Sequence, residues 1–123
     1  MMSGVSVRAV RGAITVADDT ADDIRVATSE LLGALMERNS LGPDDLISMI
    51  FTTTPDLRAE FPAVAAREIG LTHVPLLCAS EIDVPGSLGR CIRVLVHANV
   101  ADGARVRHVY LRDARQLRTD LPE

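Results

Sequence analysis

The sequence has no lysine and no tryptophan, only two cysteines, and three other aromatic residues, Phe51, Phe61 and Tyr110. Each shortage excludes something. Without stacking aromatics, and with a net charge of −4, the chain has neither the base-stacking surface nor the dense basic face of a nucleic-acid partner. Cys78 and Cys91 sit in separate strand-like runs, with no CxxC pair and no histidine at ligand spacing. They support neither a disulfide framework nor a metal site. No apolar run approaches the roughly eighteen residues of a membrane span. The first residues carry no basic-then-apolar signal pattern, so a cytoplasmic protein without a membrane partner is expected. GxGxxG, P-loop and HExxH motifs are absent, and no cofactor and no metal are expected. All thirteen basic residues are arginine, so arginine number reflects composition and only position can carry meaning.

What is there is aliphatic. At 123 residues and 47% hydrophobic, the chain suits one domain, 1–123, with a polar C-terminal tail at 112–123 that can close over a site. Residues 5–16 read as a β-branched strand, with Arg11-Gly12 marking a bulge or a close backbone approach near its end. Thr20 caps a helix whose Ile24, Ala27, Leu31 and Leu35 recur at helical spacing to about Arg38. A second strand follows at 46–54, apolar on both faces at its start and so central. Pro62 opens a short helix closed by Gly70. Strands are then expected at 73–78, 91–98 and 106–111, the last two forming an antiparallel hairpin around Asp102-Gly103. The order β-α-β-α-β-β-β describes an α+β domain with a mixed sheet.

The stretch from Leu76 to Arg93 is the chemical centre. An apolar run ends at Glu81, turns at Pro85-Gly86, and re-enters an apolar strand with Arg93 inside it. A guanidinium in such a strand needs a partner. That partner is either an internal carboxylate such as Glu81 or a ligand in a shared cavity. Cys91 reads as a small buried hydrophobe; Cys78 reads either so or as a nucleophile, with no histidine placed to activate it. His73, His97 and His108 are scattered. The arginines at strand ends and loops (Arg11, Arg67, Arg93, Arg118), with Glu81 and Tyr110, suit a small dianionic substrate, because arginine forks bind carboxylates bidentately. With no nucleophile, base or metal, the available chemistry is electrostatic stabilisation and conformational restraint.

Several segments then acquire a family likeness. Val10-Arg11-Gly12-Ala13-Ile14-Thr15-Val16, Thr54-Pro55-Asp56-Leu57 through Phe61-Pro62-Ala63 and Arg67-Glu68, Val74 through Glu81 to Val84, Cys91-Ile92-Arg93-Val94, and Arg107-His108-Val109-Tyr110-Leu111 together resemble the monofunctional chorismate mutases of the AroH class. The likeness runs in order from about residue 7 to 121. It implies a homotrimeric pseudo-α/β-barrel with helices on one face of each sheet and active sites at subunit interfaces. It also implies the cofactor-free [3,3]-sigmatropic rearrangement of chorismate to prephenate, a step in phenylalanine and tyrosine biosynthesis. By that resemblance Arg93 lies beside the ether oxygen and Glu81 accepts a hydrogen bond from the ring hydroxyl, with Cys78 close by. Arg11 and Tyr110 hold a carboxylate. Phe61, Ala63, Arg67, Leu76 and Leu77 complete the pocket, and Leu117 and Arg118 close it from the tail. Val64 stands where the family often has lysine and Leu77 where it often has threonine. A backbone contact at Leu77 makes that change minor, whereas Val64 removes a carboxylate partner, so that either Arg67 and Arg118 carry more of the attraction or the substrate binds more weakly. Arg58, not one of the quoted motif residues, is expected to be a bystander.

Two other readings compete. One is a trimeric carboxylate-binding or reactive-enamine-handling protein without mutase activity. The other is a structural protein in which Arg93 and Glu81 form an internal ion pair, which leaves Arg11 and Tyr110 unexplained. The mutase reading expects Arg93 and Glu81 to be separate contacts, held apart across one pocket by a ligand.

Overall fold

The computed structural model describes residues 4–119; residues 120–123, the end of the expected tail, lie outside that range. Strand β1 (Val5–Thr15) leads to helix α1 (Ala21–Arg38), strand β2 (Leu46–Thr53), helix α2 (Ala63–Glu68), and strands β3 (Leu76–Ser80), β4 (Cys91–Ala101) and β5 (Val109–Leu111). Single 3-10 segments occupy Pro43–Asp45 and Arg112–Leu117. The five strands form one mixed sheet in the order β3-β2-β4-β1-β5. β4 runs antiparallel to both β1 and β2, whereas β3 is parallel to β2 and β5 is parallel to β1.

The expected hairpin between the last two strands does not form. Both edges of β4 are already taken, by β1 along its whole length and by β2 over most of it. The chain after Asp102 instead crosses to the free edge of β1. The Asn39 side chain guides it there, accepting from the Arg107 backbone N–H at 2.7 Å and donating to the Arg107 carbonyl at 2.9 Å. Strand β5 is consequently three residues long, not six.

Helix α1 begins where Thr20 accepts a hydrogen bond from the Asp23 N–H at 3.1 Å, with Asp22 and Asp23 favourably placed at the positive end of the dipole. Its apolar stripe, including Ile24, Ala27, Leu31 and Leu35, is fully buried. That stripe and the alanines of α2 pack against Val10, Ile14, Met49, Phe51, Ile92, Val94 and Val96, forming the main core. Burying each leucine or isoleucine there contributes roughly 1.5–3 kcal/mol.

The glycine in β1 marks close approach, not a bulge. β1 pairs with β4 in unbroken register from Val5 to Thr15. A Cβ on Gly12 would lie 3.0 Å from Leu31 Cδ1 and 3.3 Å from the Val109 carbonyl oxygen, so the hydrogen side chain lets α1 and β5 close on the sheet.

Alternation along β4 separates the two sheet faces. Ile92, Val94, Val96, Ala98 and Val100 are buried beneath the helices, while Arg93, Leu95, His97 and Asn99 are only half-buried on the other side. That second face is largely open, with Val5, Val7 and Leu77 each more than 60% exposed. The site is built on it.

Candidate active site

Strand register places one row of side chains across the open face. Tyr110 on β5 is level with Ala13 on β1, Ala13 with Arg93 on β4, Arg93 with Thr52 on β2, and Thr52 with Ala79 on β3. Arg93 therefore sits on the central strand. Glu81 follows β3 directly, its N–H donating to the Thr53 carbonyl at 2.9 Å, which swings its side chain back over the row. Thr52 Oγ1 donates to Glu81 Oε2 at 2.7 Å, and Arg93 Nε lies 3.3 Å from Glu81 Oε1.

This closeness corrects the expectation that Arg93 and Glu81 stand apart. They are in ionic contact, because the carboxylate at the end of β3 reaches across Thr52 on β2 to the arginine on β4. The contact is incomplete, however: the buried Arg93 Nε has no aligned hydrogen-bond acceptor among the described residues.

Strand β4 is fixed at its entry. Arg90 adopts φ +46, a left-handed conformation costly for a residue with a Cβ, and its N–H donates to both Asp56 carboxylate oxygens at 3.1 and 2.9 Å. Thr54 Oγ1 donates to Asp56 and accepts from the Cys91 N–H at 2.9 Å. Burial alone would raise the Asp56 carboxyl, but the hydrogen bonds from Thr54 and the Arg90 backbone, with the Arg90 charge, hold it below its ordinary value. The loop after β2 thereby clamps the strand that carries Arg93.

A second group lies on β1, β5 and the chain beyond. The exposed Arg11 donates its backbone N–H to His108 Nδ1 at 3.0 Å, which leaves the ring proton on Nε2. Burial, then the positive charges of Arg118 and Arg11, hold the His108 imidazole below its ordinary value, so it is neutral and adds no charge. Tyr110 packs with Ala13, Cys91 and Ala114, with Leu88 and Leu117 against them, and its buried hydroxyl has no hydrogen-bond partner among the described residues. Leu117 thus closes over the open face from the 3-10 segment, and Arg118 is next to it in the chain.

A third group surrounds a cavity of about 310 Å³ at the β3 edge, lined by Thr53, Leu57, Arg58, Phe61, Cys78 and Ala79 among others. Phe61 is two-thirds exposed there, Ala63 is buried behind it, and Arg67 is exposed in the last turn of α2. Arg58 lines this cavity too, so it is no bystander by position.

Cys78 departs from its expected place. It pairs with the core residue Phe51 and packs against the main core, whereas Leu77 faces the open side. Period-two alternation thus puts the Cys78 and Leu76 side chains on the helix-covered side of the sheet and keeps the thiol out of the Glu81–Arg93 row. Cys91 is fully buried, and burial pushes its thiol up to about 11, so it stays protonated. His73 bonds the Pro43 carbonyl and His97 bonds Ser48, both away from Glu81.

Thr52 is the member of the site that the sequence reading does not single out. The signal available for it is parity within β2: Thr52 shares the face of Arg93, Thr53 takes the opposite face with Ile92, and Thr54 lies beyond the end of the strand.

Comparison with known proteins follows this geometry. The profile of the family described as chorismate mutase type I matches residues 7–121. The chorismate mutase AroH of Thermus thermophilus is 54% identical over 117 residues, covering 94% of this chain and 96% of that protein. The chorismate mutase AroH of Bacillus subtilis (strain 168) is 44% identical over 118 residues, covering 94% and 92%. A solved structure of a chorismate mutase from Clostridium thermocellum superposes with a TM-score of 0.85 at 52% identity, covering 89% of this chain and 98% of that one.

Proposed function

The chain belongs to the type I chorismate mutase family, and from that membership we propose how its site performs the reaction. The protein is a chorismate mutase, an isomerase that converts chorismate to prephenate by a [3,3]-sigmatropic rearrangement. The reaction breaks a C–O bond and forms a C–C bond within one molecule, so no group is transferred and no proton need move. The protein's task is to hold the enolpyruvyl chain over the ring and to stabilise charge that develops at the ether oxygen.

In this reading Arg93 donates to the ether oxygen as the C–O bond lengthens. The observation that carries it is the half-exposed guanidinium at the middle of the open sheet face, whose Nε lacks an aligned acceptor. Glu81 accepts from the ring hydroxyl. On substrate binding the Arg93–Glu81 contact opens and each group turns to its own substrate atom. Arg11 and Tyr110 hold a carboxylate, which gives the unpartnered Tyr110 hydroxyl its acceptor; Arg67 and Arg118 add attraction for the dianion. Phe61 and Leu77 supply the apolar walls, Ala63 and Leu76, whose side chains face the core, contribute through their backbone, and Leu117 covers the site. Cys78 contributes through its backbone and the cavity beside Phe61, since its thiol faces the core.

The protein works in the cytoplasm as a homotrimer with sites shared between subunits. Two features support that assembly: the exposed Val5, Val7 and Leu77 on the uncovered sheet face, and the division of the set into three groups within one chain. A carboxylate-binding protein without mutase activity is the less favoured reading. The test is direct. Purified protein mixed with chorismate should consume its absorbance and yield prephenate, and sedimentation should give about three times the 13.2 kDa chain mass. Saturable binding with unchanged chorismate would overturn the assignment, and a monomeric active species would overturn the shared site.

A further inference from the structure

We propose that Thr52 is a positioning residue for the reaction: its hydroxyl sets the orientation of the Glu81 carboxylate and keeps it from collapsing onto Arg93. The inference rests on the reading of Glu81 as a substrate contact. Thr52 sits between the two charged groups, level with Arg93 across the β2–β4 ladder and level with Ala79, two residues before Glu81, across the β2–β3 ladder. Its Oγ1 reaches Glu81 Oε2 at 2.7 Å. A β-branched side chain on a paired strand has little χ1 freedom, so the direction of that hydroxyl is set by the sheet.

The neighbouring arginine makes such a device necessary. A guanidinium and a carboxylate left to themselves settle into a two-bond fork, which would occupy both groups that the substrate requires. Here the Glu81 backbone is tethered to Thr53, and one carboxylate oxygen is taken by Thr52. Only Oε1 is left beside Arg93, and the approach is to Nε without hydrogen-bond alignment. The threonine hydroxyl thus competes with Arg93 for the carboxylate and holds it in a position from which substrate can displace the ionic contact. Thr53 and Thr54 cannot substitute for it. Thr53 points to the other face, and Thr54 is committed to Asp56 and Cys91.

The experiment is a double-mutant cycle on chorismate conversion, with Thr52→Val and Thr52→Ala as hydroxyl-free variants, Thr52→Ser as the conservative one, and Glu81→Ala as the second mutation. Thr52→Val should lower kcat/KM about 10-fold, the scale of a lost hydrogen bond to a charged group. Thr52→Ser should recover most of that loss. In the Glu81→Ala background Thr52→Val should change nothing further, because a residue acting through Glu81 has no separate effect once Glu81 is gone. Additive losses in the double variant would mean a structural role and overturn the inference, as would Thr52→Val and Thr52→Ala enzymes of undiminished activity beside an impaired Glu81→Ala. Full activity in Glu81→Ala would overturn the reading of Glu81 itself. Thermal melting of each variant separates loss of fold from loss of function.

Discussion

Arg93 Nε and Glu81 Oε1 lie 3.3 Å apart, yet the nitrogen points no hydrogen bond at its partner. Proximity without alignment is what an ionic pair shows when each member is held by something else. Glu81 is held by Thr52 and by its own backbone, and Arg93 by a strand clamped through Asp56. Pairs of this kind contribute little net stability, so their removal should register in catalysis before it registers in folding.

In the proposed mechanism, replacing Arg93 with alanine removes the donor to the developing negative charge on the ether oxygen. Loss of one such preorganised donor costs about 2.7–4 kcal/mol, or 10²–10³ in rate, so kcat for Arg93→Ala should fall by at least that factor. Arg25 is the proper control, since it pairs with Asp22 and Glu68 on the helix surface. Steady-state turnover of Arg25→Ala should match the parent; near-normal turnover by Arg93→Ala would contradict the mechanism.

Glu81→Gln keeps a hydrogen-bond acceptor and loses the charge. In the proposed role the group accepts a hydrogen bond and moves no proton, so activity should drop but persist, and the pH–rate profile should keep its shape. A profile measured from pH 5 to 9 in which the variant alone loses its acid limb would instead make Glu81 a general base.

His108 links stability to pH. Its folded-state value is depressed below 6.5 by burial and by the charges of Arg118 and Arg11, so the unfolded chain binds a proton there that the folded chain resists. The contribution is neutral above about pH 6.5, and stability is lost as pH falls through the lower, folded value. Urea unfolding at pH 7 and pH 5 should show this loss, and His108→Gln should lessen it.

Gly12→Ala tests the packing beneath the site. The added methyl meets Leu31 Cδ1 at 3.0 Å and the Val109 carbonyl at 3.3 Å. Overpacking of this kind costs about 1–3 kcal/mol, and the strand that yields is β5, which carries Tyr110. A lowered denaturation midpoint with weaker substrate binding is expected; an unchanged midpoint would show that α1 has room to retreat.

Much of this molecule is legible locally. The Thr20 cap, the Ile24–Leu35 stripe, the Pro62 helix start and the alternation that sets Arg93 against Val94 all follow from short-range rules that the structure obeys. What local pattern does not carry is choice of partner. Asp102-Gly103 reads as a hairpin turn whatever lies beside β4, and only the occupation of both its edges sends β5 to β1. The same limit applies to the site. A threonine in a strand is chemically silent until register sets it between a carboxylate and an arginine, and Cys78 belongs to the pocket's sequence segment while its side chain belongs to the core.

The pairing of β5 with β1 has a consequence for how the enzyme comes into being. Arg11 and His108 are joined by a hydrogen bond across 97 residues of chain. Loop closure on that scale comes late in folding, and during synthesis it must wait until the chain has emerged past His108. Tyr110, Leu117 and Arg118 are therefore the last of the proposed site residues to take their places. A nascent chain stalled before residue 109 could have its helices packed and Arg93 on its strand, and would still bind no substrate.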